Sequence, residues 1–335
     1  MRRLCVGFIG CGGIAQAHAA RLASMSEVEL AAFSDVQVDR AKAMAAKYGG
    51  KAYGSWREML DKERLDAVFI CLPPFAHEDE VEVAAEKGVH VYIEKPIALS
   101  AELGERMVRA VEKHGVKSQV GYQLRFSFAA EEAKRLIESG AVGGVGLVVG
   151  AYWCRFIRTD WWIDRSKSGG QLVEQATHLY DLLRWLCGDV ELVYAEMDRL
   201  FYRDVEGTTI EDTSGVVMRF KSGAIGVVSS TTGAVPDQWW VRWSIVGSGM
   251  TLEAFESLAE RESTLRIYHS ARTPLRVEVL EERGRDPYLL AERDFIEAIL
   301  RDRETRTPIR EGLKTLKLTL AAVEAAEKRK PIRVE

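Results

Sequence analysis

Cysteine, long apolar runs and an excess of one charge are all scarce in this chain, and each scarcity excludes something. There are five cysteines in 335 residues. They are Cys5, Cys11, Cys71, Cys154 and Cys187, and no pair has the Cys-x-x-Cys spacing of a zinc or redox site. They read as reduced thiols of a cytoplasmic protein. No apolar run approaches the roughly 18 residues that cross a bilayer. Leu4–Ile9 follows two arginines in the manner of a signal peptide, but it runs straight into a glycine turn with no cleavage site. Lysine plus arginine is 46 and aspartate plus glutamate is 50, a net charge of −4. That near balance gives no electrostatic footprint for nucleic acid or an anionic membrane. Internal repeats and low-complexity segments are lacking, and no cage of histidines or carboxylates announces a metal, so none is expected. The remainder is 47% hydrophobic and 29% charged, enough apolar material for a sizeable core.

The first 123 residues alternate short, nearly continuous apolar runs with helical patterns. The runs are Leu4–Ile9, Val28–Ser34, Ala67–Leu72, Val89–Glu94 and Val116–Tyr122. Continuous apolar runs suit strands buried on both faces. Helical patterns fall at Ile14–Ser24, Asp39–Tyr48, Glu78–Lys87 and Ala101–His114. Ser55 with Glu58 forms a capping box, Ser100 an N-cap, and Gly88 and Gly115 helix ends. Strand–helix alternation predicts a parallel sheet with right-handed crossovers. The rhythm changes near Gln123. A helix at Ala129–Glu138 precedes a β-rich stretch with strands at Val145–Phe156, Leu192–Tyr202, Gly215–Phe220, Ala224–Thr231 and Trp240–Val246. Short turns such as Lys221-Ser222-Gly223 make that sheet antiparallel. One helix, Gly170–Leu186, interrupts it, and helices at Tyr288–Arg301 and Glu311–Lys328 close the chain. The expected architecture is an N-terminal Rossmann domain over 1–123. An α+β domain with a large, mostly antiparallel open sheet follows over 124–335. An open sheet face needs a cover, so a homodimer or homotetramer is expected.

Gly10-Cys11-Gly12-Gly13-Ile14-Ala15 follows the first strand and opens the first helix. Its pattern is Gly-x-Gly-x-x-Ala. The first glycine makes the tight turn, the second lets backbone approach a pyrophosphate, and Ala15 permits close helix–strand packing. The helix N-terminus then offers amides and partial positive charge to phosphates. Asp35 ends the second strand about 20 residues on, where an acid binds the adenosine ribose hydroxyls. Its carboxylate opposes the extra phosphate of NADP, and neither Val36 nor Gln37 reverses that charge, so NAD is the expected cofactor and NADP the less favoured one. Cys11, inside the turn, is read as a small residue that fits beside the cofactor.

Glu94-Lys95-Pro96 ends the strand Val89–Glu94 at the carboxyl edge of the parallel sheet, where open α/β folds bind ligands. Pro96 restricts Lys95 to an extended backbone. A lysine held rigidly there can stabilise a developing alkoxide or relay a proton. On the Gly170 helix, Leu172, Ala176, Leu179, Leu183 and Leu186 form a core stripe, and Gln171, Glu174, His178, Asp181 and Trp185 a second one. Glu174 lies four residues before His178, a spacing at which a carboxylate orients an imidazole and raises its basicity. The alternative for that second stripe is a solvated face with a helix-stabilising pair.

Three landmarks combine: the glycine turn, Glu94-Lys95-Pro96, and Gly169-Gly170-Gln171-Leu172-Val173-Glu174-x-x-x-His178-x-x-Asp181. In this order and spacing they resemble the glucose-fructose oxidoreductase / inositol dehydrogenase / MocA family over nearly the whole chain. The resemblance implies an NAD-dependent oxidoreductase moving hydride between nicotinamide and a hydroxyl-bearing carbon of a sugar, sugar derivative or cyclitol. It implies a proton-handling group of Lys95, Glu174 and His178. The family acid is often aspartate, so Glu174 is a departure that reaches about one methylene further, and Ala176 stands where a glycine is frequent. Cofactor contacts are expected from Gly10, Gly12, Gly13, Ile14 and Asp35, from Leu72, Pro73 and His77, and from Glu94, Lys95 and Gln123. Substrate contacts are expected from Arg125, Arg155, Trp161 and Trp162 beside the catalytic group, with Asp164 a weaker candidate. One of the two tryptophans is expected to anchor its loop. Two other readings share the first domain: a glycoside-modifying enzyme that recycles tightly bound NAD, and a non-enzymatic nucleotide-sensing protein.

Overall fold

A computed structural model describes residues 3–155, 159–236, 238–270 and 275–335. Phe156, the expected end of its strand, lies outside the described residues. The chain forms two compact units, Met1–Gly121 with Tyr288–Leu313, and Tyr122–Pro287 with Lys314–Glu335.

The first unit is built on strands β1 (Leu4–Ile9), β2 (Val28–Ser34), β3 (Lys51–Tyr53), β4 (Ala67–Ile70), β5 (His90–Ile93) and β6 (Ser118–Val120). Their order in the sheet is β3-β2-β1-β4-β5-β6, and every pairing is parallel. Helices α1 (Gly13–Leu22), α2 (Val38–Tyr48), α3 (Trp56–Lys62), α4 (Glu80–Glu86) and α5 (Ala101–His114) connect them. The local signals act as their chemistry dictates. Ser100 accepts from the Leu103 amide at 3.3 Å, and Gly115 ends α5 in the left-handed conformation. Strand order reverses between β1 and β4, so the crevice at their carboxyl ends is the topological switch point of the sheet. The glycine turn leaves β1 there, and Leu72–His77 leaves β4 there. The core centres on Phe8, Phe33 and Phe69, with Phe69 stacked 4.4 Å from Tyr92. Residues 288–313, expected in the second domain, group with this unit. Phe295 and Ile296 join its apolar core, and Gln119 Nε2 donates to the Ala291 carbonyl at 2.7 Å.

The second unit carries helix α6 (Phe128–Glu138), strand β7 (Val145–Arg155) and helices α7 (Arg165–Ser168), α8 (Gln171–Glu174) and α9 (Thr177–Cys187). Strands β8 (Val190–Asp198), β9 (Thr213–Phe220), β10 (Ile225–Pro236), β11 (Trp239–Gly247), β12 (Met250–Ser257), β13 (Glu262–His269) and β14 (Arg276–Arg283) follow. Helices α10 (Pro287–Leu300) and α11 (Ile309–Lys328) and the short β15 (Ile332–Arg333) complete the chain. The nine-stranded sheet runs β14-β13-β12-β11-β7-β10-β9-β8-β15. It is antiparallel except where β10 lies parallel to β7. Strands alternate buried and exposed residues, so one face packs on helices and the other does not. On the packed face a Cβ at Gly150 would meet Leu179 at 3.0 Å and Leu183 at 3.1 Å, which is how closely α9 approaches β7. No helix among the described residues is long and apolar enough to cross a membrane.

Candidate active site

In the first unit the glycine turn is shaped for a ligand rather than merely for a bend. Gly10 has φ +88, and a Cβ there would come 2.5 Å from the Cys71 carbonyl oxygen, so only glycine fits. Gly12 and Gly13 face open space, with nothing within 4 Å of an added Cβ. Gly12 is the N-cap of α1, no side chain caps that end, and its first turn holds no acid. Uncapped helix amides beside bare glycines make an anion cradle, and Ile14 is exposed at its edge. Asp35 is fixed beside it: Oδ2 accepts from the Cys11 amide and Oδ1 from the Gln37 amide, both at 2.8 Å. A carboxylate has about four acceptor sites, so two such bonds leave capacity for ribose hydroxyls. Burial first, then Asp35, pushes the Cys11 thiol up to about 12, while Arg40 opposes them. That thiol is inert at neutral pH. Arg40, within electrostatic reach of the turn, is a cation that the reading of Val36 and Gln37 overlooked.

Leu72 and Pro73 leave β4 partly exposed. His77 is buried, its Nδ1 is 2.5 Å from Glu80 Oε1, and its Nε2 is buried with no hydrogen-bond partner among the described residues. Burial would raise the Glu80 carboxyl, but His77 and nearby amides hold it below its usual range. At the end of β5, Glu94 is buried and Lys95 partly exposed, and the Lys95–Pro96 bond is cis. Uncapped amides, open glycines, an acid at the turn and an orphaned imidazole nitrogen all suit a dinucleotide.

In the second unit the expected single helix is two. Gln175, with φ −110, interrupts it, and the Ala176 amide donates to the Gln171 carbonyl five residues back at 2.9 Å. Glu174 and His178 therefore stand on α8 and α9, not one turn apart on a regular helix. Trp162, 1% exposed, donates its Nε1 to Glu174 Oε2 at 2.6 Å, making it the loop anchor. Trp161 is partly exposed. His178 is buried, edge-on to Tyr122 at 5.9 Å and stacked with Tyr152 at 6.4 Å. Tyr122 in turn shares a 3.0 Å hydrogen bond with Thr177. The second stripe is no solvated face, since Gln171 and Asp181 are fully buried.

Gln123 and Arg125 lie beyond the end of β6. They lie on a short 3₁₀ turn, Gln123–Phe126, and both are buried. Arg125, expected at the substrate, has its Nε and Nη2 on the two oxygens of Asp181 at 2.7 and 2.6 Å. The planar guanidinium matches the carboxylate bidentately, so this arginine braces α9. Arg155 is exposed at the end of β7. Asp164 caps α7 through the Ser166 amide at 3.0 Å, a structural task.

Sequence reasoning missed Glu211. It is buried beneath Gly170, where φ is +94 and an added Cβ would lie 2.5 Å from Oε2. It accepts from the Leu172 amide at 2.8 Å and from Arg165 at 2.6 Å, so it caps α8 and sets the entry to Glu174. Burial pushes its carboxyl above the usual range against the pull of Arg165. Nothing local marks it, because it lies 39 residues from its amide partner.

Residues 4–122 match an oxidoreductase family with an NAD-binding Rossmann fold, and residues 130–253 match the GFO/IDH/MocA C-terminal domain. Myo-inositol 2-dehydrogenase of Thermotoga maritima is 29% identical over 338 residues, covering 98% of each chain. Levoglucosan dehydrogenase in complex with NADH superposes with a TM-score of 0.91 at 23% identity over 100% of both chains, a likeness of fold. The WlbA dehydrogenase of Bordetella pertussis, in complex with NADH and UDP-GlcNAcA, superposes with a TM-score of 0.85 at 27% identity over 100% of this chain and 99% of that one. This chain belongs to the GFO/IDH/MocA oxidoreductase family, whose relatives include dehydrogenases named for sugars and cyclitols.

Proposed function

We propose that the protein is an NAD-dependent dehydrogenase that oxidises a hydroxyl-bearing carbon of a cyclitol, sugar or sugar derivative, with Lys95, Glu174 and His178 handling the proton. The observation that carries the reading is the uncapped N-terminus of α1 with Asp35 bonded to its turn. Bound NAD supplies the hydride acceptor. His178 accepts the hydroxyl proton, and its ring orientation is set by Tyr122 and Tyr152. Lys95 donates a hydrogen bond to the substrate oxygen as negative charge grows on it. Glu174, held by Trp162, orients the substrate hydroxyl. The grouping of these three in one reaction rests on the family motif. Trp161 and Arg155 complete the substrate contacts. Inositol and levoglucosan in the relatives' names make cyclic polyols the first class to try. A screen of inositols, polyols and aldoses with NAD, followed by NADH absorbance, tests this. Turnover of at least one supports it, and no turnover with no NAD binding by calorimetry rejects it.

The preference for NAD is assigned to Asp35. Asp35→Ala removes charge-assisted bonds worth about 1.5–3 kcal/mol in all, so NAD should bind roughly 10- to 100-fold more weakly. The ratio of NADP to NAD usage should rise, because Arg40 is left to meet the added phosphate. A wild type that uses NADP better contradicts the assignment.

The open sheet face is proposed as the contact with a second copy of the chain. Leu147, Val149, Val217, Ile225, Val227 and Val246 are each 37–47% exposed. Strand register sets them side by side on β7, β9, β10 and β11. A contiguous apolar patch across four strands is large for a monomer's surface. Val227→Glu at its centre should halve or quarter the mass seen by light scattering without loss of fold. An unchanged mass rejects the surface.

A further inference from the structure

His18 is fully buried on α1, one turn beyond the glycine turn. Its Nδ1 is 2.6 Å from Glu292 Oε1 on α10, and its Nε2 is 2.9 Å from Glu94 Oε1 at the end of β5. Carboxylates only accept, so two of them around one ring call for two donors, which is the imidazolium. The rings of Phe69 and Tyr92 wall it at 5.6 and 5.2 Å. Glu94 also turns its second oxygen to the Lys95 amide at 3.3 Å. A Cβ on Gly121 would come 2.5 Å from Glu94 Oε1, so the exit of β6 is kept bare for this carboxylate. One chain of contacts therefore runs from Glu292 through His18 and Glu94 to the backbone of Lys95.

We infer that His18 is a positioning residue: clamped by Glu292, it fixes the Glu94 carboxylate and through it the turn that presents Lys95. It thereby ties the helix of the dinucleotide turn to that lysine. The inference rests on the role proposed above for Lys95. Apart from the two carboxylates, the charged or titratable groups around the clamp among the described residues include Arg21, 3.8 Å from Glu292, and Cys71, Tyr92 and Tyr288. Burial and the two carboxylates push Cys71 and Tyr92 well above their ordinary values, so both stay neutral. Burial also disfavours charge on His18, but the bonds to Glu292 and Glu94 outweigh it and raise its pKa to about 9. A histidine raised in this way supports the fold fully below its ordinary value of about 6.5. That support is lost as pH climbs through about 9.

The test is histidine side-chain and backbone-amide NMR on the full chain, as wild type, His18→Gln and Glu292→Gln. One imidazole should keep both ring N–H signals at pH 7.5 and vanish in His18→Gln. The Lys95 amide should shift with that ring's midpoint, and Glu292→Gln should lower the midpoint. Misplacing Lys95 should cut kcat by about 10- to 100-fold in His18→Gln, with KM for the polyol nearly unchanged. Wild-type kcat should fall as pH climbs through about 9, and that fall should be absent from His18→Gln. A singly protonated His18 at pH 7.5, or a Lys95 amide indifferent to its titration, overturns the inference. So does an unaltered kcat and pH profile in a folded His18→Gln. Should wild type turn nothing over, the Lys95 reading fails, and the NMR titration alone then decides the clamp.

Discussion

Lys95→Met and His178→Ala should each lower kcat with NAD and a cyclic polyol by about 10²- to 10⁴-fold, the span of a lost proton-transfer or alkoxide-stabilising group. Both should leave NAD affinity within a few-fold, because the glycine turn at Gly12 and the Asp35 carboxylate expected at the ribose are untouched. The double variant should cost much less than the product of the singles, since groups acting in one step are non-additive. Separate multiplicative losses would mean that the two side chains serve different events. Glu174→Asp is instructive beside them. It shortens the carboxylate and withdraws it from Trp162 Nε1, so its loss should appear in KM for the polyol as well as in kcat.

Breaking the Arg125–Asp181 pair should give the largest loss of stability. Both side chains are at most 1% exposed and bond bidentately, and Asp181 also accepts from Thr315 at 3.2 Å. Asp181→Ala leaves a buried guanidinium without its counter-charge, which costs about 3–5 kcal/mol. Calorimetry should show the melting of the second unit displaced well below that of wild type. Replacing both partners with apolar residues of similar volume should recover most of the loss, because the pair itself bears a heavy desolvation penalty. A single variant that melts with wild type would show that the guanidinium finds water or another acceptor.

What could be read before the structure was what the chain writes locally. The parallel strands are buried on both faces, so they appear as unbroken apolar runs, and β1 and β2 run over the residues expected. Helix α5 ends where Ser100 and Gly115 say it should. The glycine turn and Asp35 were legible because backbone sterics and charge leave few other residues able to stand there. Strands β12, β13 and β14 were not. In β14 five of eight residues are glutamate or arginine and none is fully buried, so alternation carries little contrast there. The break at Gln175 was hidden because the hydrophobic spacing of Leu172, Ala176 and Leu179 continues through it. The Glu292–His18 bond spans 274 residues and the Arg125–Asp181 bond 56, so their pairings are tertiary facts with no sequence signal. Arg125 shows the consequence: a charged residue placed near a site by sequence order was committed to a brace.

The most direct measurement uses a cyclic polyol deuterated at its carbinol carbon, incubated with NAD and the wild-type protein. Net hydride transfer predicts NADH that accumulates and carries deuterium on one face of the nicotinamide, with the corresponding ketone formed in equal amount. A substrate altered with no labelled NADH released, or a cofactor that binds while no polyol reacts, would contradict the dehydrogenase assignment.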